Sequence, residues 1–191
     1  MNDENRESDD ALMRRYARGD ATAFEALYRR HEIRIWRYLD RNVGNHATAE
    51  ELMQEVWFAV ARDAERYRPD ARFTAWLFAI ARHRMLDSLR ARRSQVTLDS
   101  LAFEPEALVG LLATEPDAGP LAAAVARDEA AALRRALAQL PPEQRDAFLL
   151  QVEGELSVEE VAAITHTSFE TTKSRLRYAR SRLRELLSEY A

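Results

Sequence analysis

Apolar residues recur at helical spacing along most of the chain, and no stretch alternates apolar and polar residues over the length of a strand. The clearest case is a stripe near the C-terminus whose members stand three or four residues apart, on one face of a helix of almost five turns. Its members are Phe169, Thr172, Leu176, Ala179, Leu183 and Leu186. Alanine, leucine, arginine and glutamate dominate the sequence, and all four favour helices. The pattern predicts an all-α protein.

Turn residues divide the first half of the chain into four predicted helices. Gly19-Asp20 separates the first two, and the turn Val43-Gly44-Asn45 separates the second from the third. A loop that contains Pro69 precedes the fourth, which starts at Thr74. The predicted helices cover residues 10–18, a segment that begins near residue 21, residues 47–61 and a segment that begins at residue 74.

Two shorter helices precede the apolar stripe. The first opens at Pro141-Pro142 and ends near Gly154, and the second opens at Ser157, which forms a predicted capping box with Glu160. A polar turn at residues 165–167 then leads to Ser168, which can cap the helix that carries the stripe. A short helix, a tight turn and a second amphipathic helix are typical of the helix-turn-helix, whose second helix enters the DNA major groove. The alternative is a helical hairpin that packs only on protein.

The face opposite the stripe predicts the DNA contacts of this last helix. Residues in its first turns are placed to reach base edges: Glu170, Thr171, Ser174, Arg175 and Arg177. Lys173 and Tyr178 lie on or beside the same face. Arg180, Arg182 and Arg184 lie further along the helix and suit phosphates, which position a protein on DNA without specifying sequence.

Charge is unevenly distributed along the chain. The formal net charge is −4, yet residues 71–93 and residues 168–184 each carry six basic residues against one acidic one. Residues 97–129 carry seven acidic residues against one basic residue, and prolines and glycines are concentrated there. This composition predicts an acidic, flexible linker between two small helical domains, each with a basic patch. Two basic patches favour a polyanion that is contacted twice.

Several function classes are excluded by composition. The chain has no cysteine, which excludes disulfides, thiolate metal sites and a cysteine nucleophile, and its four histidines lack metal-ligand spacing. No nucleophile–base pair or phosphate-binding glycine loop is present, so we expect neither an enzyme nor a cofactor. The acidic N-terminus and the short apolar runs indicate no signal peptide and no membrane insertion, and we expect a cytoplasmic protein.

Five segments in order resemble bacterial RNA polymerase sigma factors of the extracytoplasmic-function class, which is group 4 of the sigma-70 superfamily. They are GDATAFEALYRRH, ATAEELMQEVWFAV, FTAWLFAIARHRMLDSLRARR, LPPEQRDAFLLQVEGELSVEEVAAI and TTKSRLRYARSRLRELL. The resemblance implies sigma domain 2 at residues 1–97, a linker at residues 98–128 and sigma domain 4, with its helix-turn-helix, at residues 129–191. It also implies core RNA polymerase and promoter DNA as partners, and an anti-sigma factor as a regulatory one.

The resemblance assigns roles to residues outside the helix-turn-helix. The third predicted helix would dock on core RNA polymerase through Glu50, Glu51, Leu52, Gln54, Glu55 and Trp57. The following loop and basic helix would bind the −10 element as a single strand through Tyr67, Arg68, Arg72, Phe73, His83, Asp87 and Arg90. Aromatic and cationic side chains together suit single-stranded DNA. The helix-turn-helix would read the −35 element as duplex.

Two departures from the family pattern carry hypotheses of their own. His83 stands where relatives usually have asparagine, so the base preference beside it is open. Thr48 stands where many relatives have aspartate, and phosphorylation of Thr48 would restore negative charge to the docking surface.

The expected function is a sigma factor that recognises −35 and −10 elements and aids DNA melting. One alternative is a stand-alone helix-turn-helix regulator of transcription, and another is an adaptor that binds only proteins.

Overall fold

A computed structural model describes residues 7–96 and 120–188, and the side chains of residues 7–92 and 128–188. The described residues form eight α-helices and one short 3-10 turn, and no strand, so the predicted all-α class is confirmed. The helices are α1 (Asp9–Tyr16), α2 (Ala21–Val43), α3 (His46–Arg62), α4 (Phe73–Val96), α5 (Pro120–Ala138), α6 (Pro142–Gly154), α7 (Val158–Thr165) and α8 (Phe169–Leu186), with the 3-10 turn Ala64–Arg66 between α3 and α4.

The first domain comprises α1 to α4. Side-chain caps begin its first three helices: Ser8 caps α1, Asp20 caps α2 and Asn45 caps α3. Helix α2 ends at Gly44, whose φ of 67° is the left-handed conformation that glycine adopts without strain. The helix starts predicted near residues 21 and 47 therefore lie within one residue of the observed ones.

The second domain comprises α5 to α8. Ser157 and Glu160 form the predicted capping box of α7, and Ser168 caps α8 as predicted. Helices α6 and α7 both end at residues with positive φ that are not glycine, Glu155 at 50° and His166 at 54°. The turn between α7 and α8 therefore begins with His166 in the left-handed backbone conformation.

Helix α5 begins earlier than the charge pattern indicated. It starts at Pro120, so residues 120–128, which belong to the predicted linker at residues 98–128, are helical. Proline is compatible with the first turn of a helix, where its missing N–H is not needed. The rest of the acidic segment, residues 97–119, lies outside the described residues.

The two domains pack against each other through α2 and α4 on one side and α6 and α7 on the other. The Tyr38 hydroxyl donates a 2.8 Å hydrogen bond to Asp146, and both side chains are buried. Burial and the charge of Asp146 raise the pKa of Tyr38 well above its usual value, so its hydroxyl remains a donor. Helix α6 approaches α4 closely at Gly154: a Cβ added to this glycine would lie 3.4 Å from Cγ of Phe78. One hydrophobic core therefore runs through both domains.

Among the described residues, no helix is long and apolar enough to cross a membrane, and no group of three or more potential metal ligands occurs.

Candidate nucleic-acid and polymerase-binding surfaces

Helix α3 presents an acidic face to solvent. Glu50, Glu51, Gln54 and Glu55 are exposed, as a docking surface requires. Leu52 and Trp57 are buried instead, with Trp57 only 5% exposed. The Trp57 ring packs on Tyr28, at a centroid distance of 5.0 Å, and edge-on against Phe24. As a correction to the predicted docking set, Leu52 and Trp57 stabilise the helix from inside and offer no contact surface in this conformation.

Phe58 also belongs to the exposed face of α3, although the predicted docking set does not include it. Its side chain is 74% exposed, the most exposed of the large apolar residues described. At 100° per residue it falls between Glu51 and Gln54 on the helical wheel. The signal was present in the sequence, because Phe58 lies off the predicted core face that Leu52, Val56 and Ala59 form.

Thr48 lies in the first turn of α3 and is only 3% exposed. Its Oγ1 donates to the Asn45 side chain at 2.9 Å, and Arg92 of α4 donates a hydrogen bond to the same oxygen. A phosphate on Thr48 would therefore meet an arginine and a helix N-terminus, both favourable to negative charge. The first turn of α3 would have to open before an enzyme could reach the hydroxyl.

The aromatic residues predicted for the −10 element form a cluster with Trp76. The ring of Tyr67 lies 4.9 Å from Trp76 and 5.9 Å from Phe73 between centroids. Tyr67 and Phe73 are buried, whereas Trp76 is partly buried. As a correction, neither Tyr67 nor Phe73 offers an open ring face for base stacking in this conformation. A shallow hollow beside them is lined by Arg62, Asp63, Arg66, Tyr67 and Trp76.

Helix α1 contacts this cluster directly through Asp10 and indirectly through Asp9. The Tyr67 hydroxyl donates a hydrogen bond to Asp10, and buried His31, whose ring lies 5.5 Å from that of Phe73, pairs with Asp9 at 2.8 Å. Burial tends to raise the pKa of Asp9, but hydrogen bonds and charge from His31 and Arg30 outweigh burial and lower it. These contacts of helix α1 therefore fix the position of the predicted −10 loop.

The charged members of the predicted −10 set are exposed to different degrees and already have partners. His83 pairs with Asp87 at 3.2 Å, and Arg90 pairs with the other oxygen of Asp87 at the same distance. Arg68 donates to the Tyr67 carbonyl at 3.2 Å. Arg72 contacts the second domain, since its Nη1 lies 3.3 Å from the Glu160 carboxylate. His83, Asp87 and Arg90 thus share one face of α4.

Helix α8 carries the predicted −35 residues on its outer face. Glu170, Thr171, Lys173, Arg177, Tyr178 and Arg180 are exposed, and Ser174 and Arg175 are half-buried. The Arg177 guanidinium lies 4.9 Å from the centroid of the Tyr178 ring, a cation–π contact, and Arg180 donates to Gln151 of α6. Most of the predicted readout face is therefore open to a DNA duplex.

The apolar stripe of α8 differs from the prediction at its first position. Thr172, Leu176, Ala179 and Leu183 are buried as expected, but Phe169 is 40% exposed with the Lys173 ammonium 5.9 Å from its ring centroid. The hydroxyl of Thr172 is satisfied inside by Thr167 at 2.8 Å. Phe169 occupies the first residue of the helix, beyond the reach of the core beneath it.

Two family models match the chain, each on one of the two domains. The model for sigma-70 region 2 matches residues 27–95, and the model for sigma-70 region 4 matches residues 130–183. The first covers most of α2 through α4, and the second runs from within α5 into α8.

Full-length relatives show the same similarity. The chain is 36% identical over 182 residues to the RNA polymerase sigma factor CarQ of Myxococcus xanthus, which covers 93% of this chain and 96% of that protein. It is 34% identical over 170 residues to the ECF RNA polymerase sigma factor RpoE of Cereibacter sphaeroides, with 88% of each chain covered.

Two solved structures share the fold. The sigma factor RpoE in complex with the anti-sigma factor NepR, from Bartonella quintana, matches with a TM-score of 0.70 and 25% identity, over 86% of this chain and 96% of that one. CnrH in complex with the cytosolic domain of CnrY matches with a TM-score of 0.67 and 24% identity, over 97% of this chain and 100% of that one.

Proposed function

Because this chain belongs to the sigma-70 family, in its extracytoplasmic-function group, we propose that it binds core RNA polymerase and directs transcription initiation from promoters with specific −35 and −10 elements. It acts in the cytoplasm as a non-catalytic initiation factor. The observation that carries the proposal is the order of the matches: region 2 falls on the first helical domain and region 4 on the second.

The acidic face of α3 is the proposed polymerase-docking surface. Glu50, Glu51 and Glu55 are exposed together along one helix, and Phe58 lies beside them. An exposed apolar side chain ringed by charge fits the hot-spot pattern of protein interfaces, in which a buried anchor is surrounded by a polar rim. We expect a partner surface that is basic around an apolar recess.

The first domain is proposed to bind the −10 element as a single strand. The six arginines between residues 71 and 93 supply the positive charge that tracks a DNA backbone. Tyr67 and Phe73 are buried, so stacking on a flipped base requires the loop before α4 to move. His83, exposed beside Asp87, is the proposed determinant of base preference on that face.

Helix α8 is proposed to read the −35 element in the major groove. Arginine is suited to the two acceptors of guanine, and glutamate accepts from the cytosine amino group, so Arg177 and Glu170 are candidates for direct readout. Both are exposed on the outer face of the helix. An anti-sigma factor is a proposed regulatory partner, because the matching RpoE and NepR structure is such a complex.

Run-off transcription from a promoter library tests this function, using purified core polymerase with and without the protein. Specific transcripts that require the protein are the expected result, and their start sites would define both promoter elements. If the wild-type protein does not bind core polymerase in a direct binding assay, the proposal is overturned and a stand-alone regulator is favoured. The same assay with a Lys173→Ala, Arg177→Ala variant checks that the transcripts depend on α8.

A further inference from the structure

Phe169 is the first residue of α8 and lies at the start of the proposed −35 surface. The first turns of a recognition helix are the part that reaches base edges in the major groove. Phe169 is 40% exposed and does not belong to the hydrophobic core, although its side chain is apolar. Glu170 and Thr171, two of the predicted readout residues, follow it directly and are also exposed. An apolar ring therefore stands among the polar groups of this surface.

Lys173, one turn further along α8, contacts the ring of Phe169. Its ammonium lies 5.9 Å from the ring centroid, a cation–π contact. Residues four positions apart are neighbours on the surface of a helix, so the pair forms without any change in the backbone. The cation covers one face of the ring, and the rest of the ring remains accessible. Lys173 thus orients the ring at the surface that would meet DNA.

The start of α8 is fixed in position by hydroxyl groups. Ser168 caps the helix, since its Oγ accepts a 3.1 Å hydrogen bond from the Thr171 amide. Beneath the turn, hydrogen bonds join the hydroxyls of Thr165 and Thr167 at 3.0 Å and those of Thr167 and Thr172 at 2.8 Å. Thr172 is fully buried, so this chain links the interior of α8 to the end of α7. The first residue of α8 therefore projects from a well-defined backbone.

The composition of α8 limits how this helix can read an A·T base pair. Adenine is recognised by paired hydrogen bonds from Asn or Gln, and α8 contains neither residue. Arg177 and Glu170 match guanine and cytosine instead. The other distinctive group of an A·T pair in the major groove is the 5-methyl group of thymine, which is read by apolar contact. In the first turn of α8, Phe169 and the methyl group of Thr171 are the exposed apolar groups.

We infer that Phe169 is a specificity-determining residue that contacts the 5-methyl group of one thymine in the −35 element. The inference rests on the proposed function and adds an apolar contact to its polar readout residues. The ring of Phe169 offers much more apolar surface than the single methyl group of Thr171, so the ring makes the main contact. The −35 element of this protein must then contain an A·T pair, with its thymine on either strand.

Removal of one methyl group from the DNA tests the inference. Each thymine of the −35 element, as the promoter library defines it, is replaced in turn by 2′-deoxyuridine, which lacks the 5-methyl group and keeps the base pair. Promoter affinity is measured for core polymerase with the full-length wild type, Phe169→Ala, Phe169→Leu or Thr171→Ser. Thr171→Ser is the matched control, because it removes the competing methyl group and keeps the hydroxyl that pairs with Ser168.

For the wild type we expect deoxyuridine at one position to weaken binding about fourfold, the effect of leaving one methyl group unburied. Phe169→Ala should bind the thymine promoter more weakly and should no longer distinguish thymine from uracil at that position. Phe169→Leu, which keeps an apolar side chain, should retain part of the distinction. Thr171→Ser should retain all of it.

A ratio of thymine to uracil affinity that is unchanged in Phe169→Ala would overturn the inference, because a residue that only stabilised α8 would weaken both promoters equally. The inference is also wrong if Thr171→Ser abolishes the ratio, if the wild type is insensitive to every deoxyuridine, or if the element contains no thymine.

A failure of the proposed function has a different appearance. In that case the wild type does not bind core polymerase, or promoter affinity depends on no −35 base pair, and the inference falls with it.

Discussion

Trp57 and Phe58 are adjacent in α3 and have opposite surroundings: Trp57 is 5% exposed and packs on the rings of α2, whereas Phe58 is 74% exposed. The buried Trp57 stabilises the helix from inside, and the exposed Phe58 remains available for contact with a partner. Buried aromatics stabilise the fold, whereas the exposed ring of Phe58 is accessible to the polymerase surface that we propose for this face.

We expect Phe58→Ala to weaken binding to core polymerase by at least about tenfold while leaving thermal stability unchanged, because truncating an interface anchor costs on the order of 2 kcal/mol. Fluorescence anisotropy with labelled protein measures the first effect, and thermal denaturation the second. Trp57→Ala is the matched control and should lower the free energy of unfolding by about 3–5 kcal/mol. Equal polymerase affinity of Phe58→Ala and wild type would remove Phe58 from the docking surface.

Reversing one charge of the same face should have a similar effect. Glu55→Arg is expected to abolish polymerase docking, since a like charge placed at an interface costs several kcal/mol. Helical content should not change, because Glu55 is exposed. Glu143→Arg makes the same charge change on α6, away from α3, and should bind polymerase normally. Normal docking by Glu55→Arg would place the interface elsewhere.

Arg177→Ala should cost about 1–3 kcal/mol at one base position of the −35 element and relax the preference there. Binding of the full protein, with core polymerase, to promoters that vary at each −35 position measures this effect. Arg184→Ala serves as a comparison, because a phosphate contact should weaken all sequences alike. If Arg177→Ala weakens binding to all −35 sequences equally, Arg177 contacts a phosphate and does not read a base.

His166→Gly should stabilise the second domain by about 1 kcal/mol, because a residue with a Cβ is strained at a φ of 54° and glycine is not. Ala163→Gly, in the adjacent helix α7, should instead destabilise by a similar amount. Urea denaturation of the full chain compares the two. A loss of stability in both variants would show that the His166 side chain has a contact that outweighs the strain.

Thr48→Asp should strengthen polymerase binding relative to Thr48→Ala if negative charge at the start of α3 promotes docking. The burial of Thr48 adds a second expectation: only a protein in which the first turn of α3 opens is a substrate for a kinase. Transcription by the purified wild type, Thr48→Ala and Thr48→Asp proteins checks the first point. Equal activity of all three would end the hypothesis.

Local features of this fold could be predicted from the sequence because their causes are local. The caps at Ser157 and Ser168 and the turn at Gly44 each depend on a few neighbouring residues, and the structure confirms them. The face of α3 that packs on the core was also predicted in part, because Leu52, Val56 and Ala59 are buried as expected.

Contacts between distant residues could not be predicted in the same way. Tyr38 and Asp146 stand 108 residues apart, and neither carries a local signal of its partner. Asp146 and Glu153 look like ordinary solvent-facing acids of an amphipathic helix until α2 covers them. The exposure of Phe169 depends likewise on where the core ends beneath α8, which helical periodicity alone does not specify.

The hydrophobic core that runs through both domains has a consequence for the order in which the chain acquires its structure. Tyr38 and Asp146, whose side chains meet in this core, stand 108 residues apart. Contacts between residues so distant in sequence slow folding, because the chain between them must first be closed into a loop. During synthesis the first domain therefore leaves the ribosome before the residues of α6 that cover it have been made.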